Sequence, residues 1–254
     1  MIPTTIKTVG FCLYITLFLL VSFTADLFLR NPLHRRKVCL RITSLAAKLG
    51  LKLFNIRVSV KGKDKLSSLP QPCLVIANHL SYLDILIIAS CLPSLFITSI
   101  ELKKTFFLGL VSRMGGSLFV ERRSKTKLLQ EIENVAAVIK SGINVVLFPE
   151  GTSSNGDSVL PFKAALFSSA TSAQVAVQPL CIKYHAIDDK PIDADNRDLA
   201  YYYGHLQFFP HLLKLLTLKS IDVQLTVLDS FTPGAMTRKE IADRARAAIM
   251  ECYH

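Results

Sequence analysis

The sequence lacks the signatures of several common classes of protein. Its 11 glycines and 11 prolines have no period and do not cluster, which excludes collagen-like and low-complexity chains. None of the six cysteines forms a CxxC pair, and the six histidines form no HxH, HExxH or HxxxH pair. We therefore predict unpaired cysteines in a reducing compartment, and neither a metal nor a cofactor.

Motifs of nucleotide binding and of covalent catalysis are also missing. There is no GxxxxGK[ST] loop for phosphates and no GxGxxG dinucleotide fingerprint. A hydrolase built on a histidine and an aspartate stays open, but the chain has no nucleophile elbow. The length of 254 residues, half of them hydrophobic, suits one α/β domain with a short appendage, or at most two small domains.

An uncharged apolar run occupies residues 8–25, near the N-terminus. A helix over these 18 residues would be about 27 Å long, close to the thickness of a hydrocarbon core. A cleaved signal peptide is an alternative, although the run has no clear A-x-A site after it and is followed by dense positive charge. A buried core helix is the other alternative. We expect a membrane-associated helix.

The positive charge of the chain is concentrated directly after this run. Of a net charge of +11, +10 lies between residues 30 and 65, which hold eleven basic side chains and one acid. Such a block beside an apolar segment favours a membrane surface over nucleic acid, so we expect no nucleic-acid partner. By the positive-inside rule the main domain lies at the cytoplasmic face of the cell (inner) membrane.

Residues 37–54 have the pattern of an amphipathic helix. Their four basic side chains fall within a 60° arc at 100° per residue, and apolar side chains fill most of the remainder. This pattern suits a helix at a lipid interface, or a helix packed on its own domain with the charged stripe in solvent. Whether the first helix spans the membrane or pairs with the second as a hairpin stays open. We assign residues 1–54 to membrane-anchoring helices and residues 55–254 to the main domain.

The main domain alternates short apolar strands with helices. This order predicts an α/β fold with a mostly parallel sheet flanked by helices. The predicted strands are 55–61, 73–77, 95–99, 117–121, 143–148, 175–184 and 222–228. The predicted helices are 82–91, 104–114, 124–140, 162–173 and 237–253. Ligands of such sheets bind at the carboxyl ends of the strands.

The first polar loop, NHLSYLD, holds His79 and Asp84 after a buried strand. On one continuous helix the two would lie about 140° apart. If the helix begins near Ser81, Asp84 can reach back to Nδ1 of His79 and leave Nε2 as a general base. The alternative is a capping box formed by Ser81 and Asp84, with no catalytic meaning.

The second polar loop, FPEGTSS, follows the predicted strand 143–148. Glu150 is a lone carboxylate at the edge of the sheet, Thr152 and Ser153 offer hydroxyl groups, and Lys163 places a cation nearby. An ordinary strand-to-helix loop with capping residues is the alternative interpretation.

Several blocks together resemble the glycerolipid acyltransferase family, of the 1-acyl-sn-glycerol-3-phosphate acyltransferase type. The matching blocks, in chain order, are NHLSYLD (Asn78–Asp84), GSLFVER (Gly116–Arg122), FPEGT (Phe148–Thr152), LPFK (Leu160–Lys163) and VQPL (Val177–Leu180). The resemblance extends from about Arg57 to Leu228.

The resemblance implies a mechanism. His79 takes a proton from the free hydroxyl of a lysolipid acceptor, whose oxygen attacks the thioester of acyl-CoA or acyl-carrier protein, while Asp84 orients His79. No acyl-enzyme forms. Arg122 and the FPEGT loop hold the head group of the acceptor, since arginine can grip a phosphate with two hydrogen bonds. The full set of substrate-binding residues that this implies is Asn78, Phe119, Arg122, Glu150, Gly151, Thr152, Ser153 and Lys163.

The third block departs from the family at one position. The family usually has EGTR, whereas this chain has EGTS, with Ser153 in place of the arginine. Lysophosphatidate, giving phosphatidate, is the first acceptor that the resemblance implies, with Arg122, Arg123 or Lys163 in place of the missing arginine. The alternative acceptor is lyso-ornithine lipid, because FPEGTSSNG and residues 201–216 resemble that branch. A non-catalytic lipid-binding protein is the alternative from another class. His185, His205 and His211 are expected to be structural or solvated.

Overall fold

The structure is a computed structural model, and it describes residues 4–121 and 125–254. Two long helices come first, α1 (Thr4–Phe28) and α2 (Pro32–Leu53). The side chain of Asn31 caps α2 by accepting a hydrogen bond of 3.0 Å from the backbone N–H of His34, and Pro32 occupies the first helical turn. Both features are typical of helix N-termini.

Strands and shorter helices alternate through the rest of the chain. The strands are β1 (Ile56–Lys61), β2 (Leu74–Ala77), β3 (Leu95–Ser99), β4 (Leu118–Val120), β5 (Val145–Leu147), β6 (Val177–Ile187), β7 (Lys190–Pro191) and β8 (Ile221–Val227). The helices are α3 (Lys63–Ser67), α4 (Leu83–Cys91), α5 (Ile100–Lys103), α6 (Phe106–Met114), α7 (Lys125–Lys140), α8 (Ser168–Ala173), α9 (Phe208–Thr217) and α10 (Arg238–Tyr253).

The described strands form a single sheet in the order β1-β8-β6-β2-β5-β3-β4, with β7 beside β6. Among the pairs of described strands, only those of β6 with β8 and of β6 with β7 are antiparallel. The predicted α/β fold with a mostly parallel sheet is therefore confirmed.

The topology brings the carboxyl ends of β2 and β5 together beside β6. Strand β2 is wholly buried and pairs in parallel with β5 on one side and β6 on the other. The loops that leave β2 and β5 therefore emerge side by side at the carboxyl edge of the sheet. Strand β6 continues seven residues beyond Leu180, which pairs with the last residue of β2, and so it forms a wall beside these loops.

Helices α1 and α2 pack against each other as an antiparallel hairpin. The rings of Phe11 and Phe54 lie 5.9 Å apart at the open end, and Asp26 and Arg35 form a 3.3 Å ion pair near the turn. Helix α2 in turn packs on α4 of the main domain. Among the described helices, α1 is long and apolar enough to cross a membrane. The division at residue 54 stays a prediction.

Two predicted helices begin later than the sequence indicated. Thr105 accepts a hydrogen bond from Gly109 N–H with its side chain and so begins α6 at Phe106, which separates it from α5. The helix predicted from residue 162 begins as a 3-10 turn at 165–167, because the N–H of Lys163 donates to Pro149 O at 2.8 Å and keeps this segment against the preceding loop. Helix α9 was not predicted.

Candidate active site

His79 lies in the loop that leaves β2, with its ring stacked on that of Phe148. The ring centroids are 4.1 Å apart and the planes differ by 17°. The backbone O of His79 accepts a hydrogen bond of 2.9 Å from Ser154 N–H, so both loops at the sheet edge share a hydrogen bond at this residue. The His79 side chain is 19% exposed, which leaves part of the ring accessible.

Asp84 lies in the first turn of α4 and is fully buried. Its Oδ2 lies 2.9 Å from Nδ1 of His79, and it accepts hydrogen bonds from the backbone N–H groups of Leu80 at 2.7 Å and Ser81 at 2.9 Å. The helix begins at Leu83 and the Ser81 hydroxyl does not cap it, so the capping box of the alternative interpretation is not formed. The contact between His79 and Asp84 that the sequence suggested is present.

Tyr184 completes the surroundings of this carboxylate. It lies on β6, is buried, and donates a hydrogen bond of 2.8 Å from its hydroxyl to Oδ1 of Asp84. Burial raises the pKa of Tyr184 well above its ordinary value, and the neighbouring Asp84 raises it further. Tyr184 therefore stays protonated and keeps its role as a donor.

Asn78 is directed at the sheet. Its side-chain N–H donates to Ile182 O at 2.9 Å and its oxygen accepts from Ile182 N–H at 2.8 Å. The side-chain amide of Asn78 thereby pairs with both backbone polar groups of Ile182 in β6, at the point where β2 has ended. Asn78 was predicted to bind substrate, but in the structure its side chain bonds to the backbone that carries Tyr184.

Glu150 is also engaged by the backbone. Its carboxylate is buried, with Oε1 2.7 Å from the N–H of His79 and Oε2 2.9 Å from the N–H of Leu160. Burial raises the pKa of Glu150 to about 7, against the opposing effect of these two hydrogen bonds. The Glu150 side chain thus ties the FPEGT segment to the loop of His79 and to Leu160 further along the chain.

Gly151 and Lys163 meet in the same segment. Gly151 has a φ of +75°, and a Cβ at this position would lie 2.5 Å from Nζ of Lys163. The backbone conformation therefore favours glycine at this position, and the end of the Lys163 side chain lies across it. Thr152 is exposed beside them, and its hydroxyl lies 3.3 Å from Ser153 O.

Ser153 connects the FPEGT segment to a third loop. Its hydroxyl donates to the backbone O of Tyr202, and the N–H of Tyr202 donates to Leu80 O at 2.9 Å. Beyond Tyr202, the hydroxyl of Tyr82 lies 2.9 Å from Nδ1 of His211, and burial lowers the pKa of this histidine. The loop after β6 is thus hydrogen-bonded to both polar loops.

The remaining predicted residues lie apart. Phe119 is on β4, the edge strand, separated from β2 by β5 and β3. At about 4.8 Å per strand this is a separation of about 14 Å. Arg122 and Arg123 lie outside the described residues. Within the described ranges, no three His, Cys, Asp or Glu side chains are grouped so as to hold a metal ion.

Sequence reasoning missed Tyr184, Tyr202 and the ring of Phe148. A polar tyrosine in the apolar strand that begins with the VQPL block is a weak signal for Tyr184, and Phe148 begins the recognised FPEGT block. No spacing links Ser153 with Tyr202.

The arrangement is suited to general base catalysis. Asp84 engages Nδ1 of His79, so Nε2 is the nitrogen that can accept a proton, and the carboxylate stabilises the imidazolium that results. The donors around Asp84 offset the energetic penalty of burying its charge.

Comparison with known proteins identifies the family of this chain. A sequence model of the acyltransferase family matches residues 57–183, half of the chain. A lyso-ornithine lipid O-acyltransferase of Rhizobium meliloti (strain 1021) is 35% identical over 68% of this chain and 61% of its own length. A 1-acyl-sn-glycerol-3-phosphate acyltransferase of Neisseria gonorrhoeae is 38% identical over 46% of each chain. The matched segment is thus less than two thirds of either relative.

The fold has a counterpart among solved structures. The crystal structure of the 1-acyl-sn-glycerophosphate (LPA) acyltransferase PlsC from Thermotoga maritima covers 98% of this chain and 94% of its own, with a TM-score of 0.70 and 20% identity. This likeness concerns the fold, and it includes the N-terminal helices. The family model, which matches half of the chain, shows that this chain belongs to the acyltransferase family.

Proposed function

We propose that the chain transfers a fatty acyl group to the free hydroxyl of a lysolipid, with lyso-ornithine lipid as the acceptor and His79 as the general base. The observation that carries the chemistry is the contact of 2.9 Å between Nδ1 of His79 and Oδ2 of Asp84, which leaves Nε2 for the substrate.

Each step uses groups of this site. Nε2 of His79 takes the proton of the acceptor hydroxyl, and the oxygen attacks the carbonyl carbon of an acyl thioester. The tetrahedral intermediate collapses with loss of the thiolate, which takes up the proton from the imidazolium. Asp84 holds the ring and stabilises its charge while it is protonated. The donor is acyl-CoA or acyl-carrier protein, and no residue of the enzyme is acylated.

The choice of acceptor rests on Ser153. The related block EGTR has an arginine here, whereas this chain has an uncharged serine, whose hydroxyl donates to Tyr202 O. Lys163 contributes one positive charge over Gly151, which matches a single carboxylate better than a phosphate monoester with a charge of about −1.5 to −2. An ornithine head group carries such a carboxylate. The broader coverage of the Rhizobium relative, 68% against 46% of this chain, supports the same choice.

Lysophosphatidate is the second candidate, and from the sequence alone it stands first. The 38% identity to the Neisseria protein favours it. In that case Lys163, Arg122 or Arg123 would bind the phosphate in place of the missing arginine.

We also propose that α1 and α2 attach the enzyme to the cytoplasmic face of the inner membrane without crossing it. Helix α2 lies along the main domain, with the hydroxyl of Thr43 3.2 Å from Gly115 O, and α1 runs antiparallel to it. Leu45 and Leu49 of α2 are exposed beside its basic stripe, as is most of the outer face of α1. A hairpin held flat on the domain suits insertion in the plane of one leaflet.

The test is acyl transfer by the purified full-length chain in detergent. One acyl thioester is supplied with lyso-ornithine lipid or with lysophosphatidate, thiol release reports turnover, and mass spectrometry identifies the product. We expect turnover on lyso-ornithine lipid that is lost in His79→Ala. Ser153→Arg should shift turnover towards lysophosphatidate, whereas Thr152→Arg, one position away and exposed, should not.

Two outcomes would contradict the proposal. Turnover on lysophosphatidate alone would make the acceptor wrong while keeping the mechanism. Turnover on neither acceptor by a folded protein would reject both acceptors.

A further inference from the structure

Large apolar side chains are exposed at one corner of the main domain, outside the N-terminal hairpin. Phe106, the first residue of α6, is 92% exposed, and Phe209 and Leu213 of α9 are 57% and 56% exposed. Phe209 and Leu213 are four residues apart and share one face of the helix, while Leu212, Leu215 and Leu216 are buried on the other. Helix α9 therefore has a second apolar face that the domain does not cover.

The two helices form one continuous surface. The ring of Phe107 lies 5.8 Å from that of Phe208 and 5.6 Å from that of Phe209, which joins the beginning of α6 to the beginning of α9. Phe106 is adjacent to this contact. We call the exposed side chains of Phe106, Phe209 and Leu213 the aromatic corner.

The aromatic corner adjoins the apolar hairpin. Helix α1 packs against both α6 and α9, and Nζ of Lys7 donates a hydrogen bond to Leu218 O just after α9 ends. The outward face of α1 carries Ile6, Val9, Leu13, Leu17 and Leu20, all exposed. An apolar surface of this extent on an isolated chain indicates a partner.

The charge of the two segments that carry the aromatic corner indicates what kind of partner it binds. The segments 99–116 and 204–219 contain five lysines and arginines and a single acid, Glu101. All five basic side chains are exposed, namely Lys103, Lys104, Arg113, Lys214 and Lys219. Exposed apolar side chains in segments that also carry exposed cations suit the acyl chains and phosphates of an anionic bilayer.

We propose that the aromatic corner inserts into an anionic bilayer as a second attachment point, separate from the N-terminal hairpin. The aromatic corner lies close to the loop of His79. Phe208 lies 5.2 Å from Tyr82, in the loop of His79, so insertion of the neighbouring Phe209 holds the mouth of the active site against the lipid surface. A lysolipid can then present its hydroxyl to His79 without leaving the bilayer, and this purpose rests on the proposed function.

The chain contains no tryptophan, which makes a clean test possible. Single tryptophans are placed at the corner, as Phe106→Trp, Phe209→Trp and Leu213→Trp. The matched control is Leu129→Trp on α7, which is 74% exposed and equally apolar in the parent chain. Each full-length protein is reconstituted into vesicles of phosphatidylethanolamine and phosphatidylglycerol. A second set of vesicles has the same composition, but its lipids carry bromine atoms on their acyl chains, about 5–10 Å below the head groups.

We expect the emission of the three corner tryptophans to shift to shorter wavelength in vesicles and to be quenched by the bromines, and that of the control to do neither. Equal quenching at the corner and at residue 129 would overturn the proposal. So would a blue shift in lipid-free detergent that grows with protein concentration, because a second copy of the chain would then cover the corner. Because three separate positions are tested, the result does not depend on any single variant that fails to fold. Since turnover is not measured, a wrong acceptor leaves this result unaffected.

Discussion

The hydroxyl of Tyr184 lies 2.8 Å from Oδ1 of Asp84, the carboxylate oxygen that His79 does not use. Tyr184 belongs to β6 and Asp84 to α4, so this bond joins the sheet to the helix that carries the acidic partner of His79. A buried hydrogen bond to a charged group contributes about 1.5–3 kcal/mol.

Removal of this bond should weaken catalysis without removing any group that touches substrate. We expect Tyr184→Phe to lower kcat about tenfold with little change in KM, because the orientation of Asp84 and hence of His79 is disturbed. The control is Tyr203→Phe, which also loses a bond from a tyrosine hydroxyl to a carboxylate, that of Asp198. Steady-state kinetics of both variants check this, and equal effects would contradict it.

His79 and Asp84 should together provide most of the rate acceleration of the chemical step. We expect His79→Ala to lower kcat by about 10²- to 10⁴-fold, the range of general base catalysis. Asp84→Asn should also lower it, because the amide cannot stabilise an imidazolium. Unfolding curves of both variants serve as the control for folding, and substantial turnover by folded His79→Ala would exclude the mechanism.

Asn78 should matter more for stability than for binding. Asn78→Ala leaves the N–H and O of Ile182 buried and unpaired, so the free energy of unfolding should fall by about 2–4 kcal/mol. Asn196→Ala, at a turn near the surface, is the matched control and should have a smaller effect. Urea unfolding measures both, and similar losses would argue against a structural role for Asn78.

Glu150 should give stability a distinct pH dependence. Its pKa is raised by burial from 4.5 to about 7, so the folded chain binds this proton more tightly than the unfolded chain. The associated stabilisation is complete below pH 4.5 and is lost as the pH rises towards 7, a change of up to about 3 kcal/mol. Glu150→Gln should remove this part of the slope.

The measurement is the free energy of unfolding between pH 4.5 and 7.5. Glu251→Gln, at an exposed position of α10, is the control. Parallel curves for the parent chain and Glu150→Gln would show that the Glu150 carboxyl does not titrate in this range.

Local sequence patterns were sufficient to predict that His79 and Asp84 lie close together. The apolar runs that became β2 and β5 are short and end at polar residues, and neighbouring parallel strands bring their carboxyl ends to one edge. Because α4 begins so soon after β2, Asp84 can only fold back on His79. The approach of the two side chains therefore follows from a seven-residue segment.

The partners supplied by distant residues could not be predicted in this way. Tyr184 is 100 residues from Asp84 and Tyr202 is 49 residues from Ser153, and no periodicity joins positions so far apart. Their contacts depend on the register of β6 against β2. The hydrogen bonds of Asn78 and Glu150 could not be predicted for the same reason, since their partners are backbone groups, which every residue carries.

Helix α9, FFPHLLKLLT, was missed because its start carries no clear signal. No side chain caps its first turn, and Pro210 at its third position is usually taken as the end of a helix.

The dependence of Asp84 on β6 has a consequence for synthesis. A chain that has emerged only as far as β5 already carries His79 and Asp84, yet it lacks Tyr184 and the Ile182 peptide to which Asn78 binds. Helices α1 and α2 leave the ribosome long before β6, and domains generally fold as their segments become available. With the proposed attachment of α1 and α2, the nascent chain reaches the bilayer before β6 joins the sheet and completes the hydrogen bonds of Asp84 and Asn78.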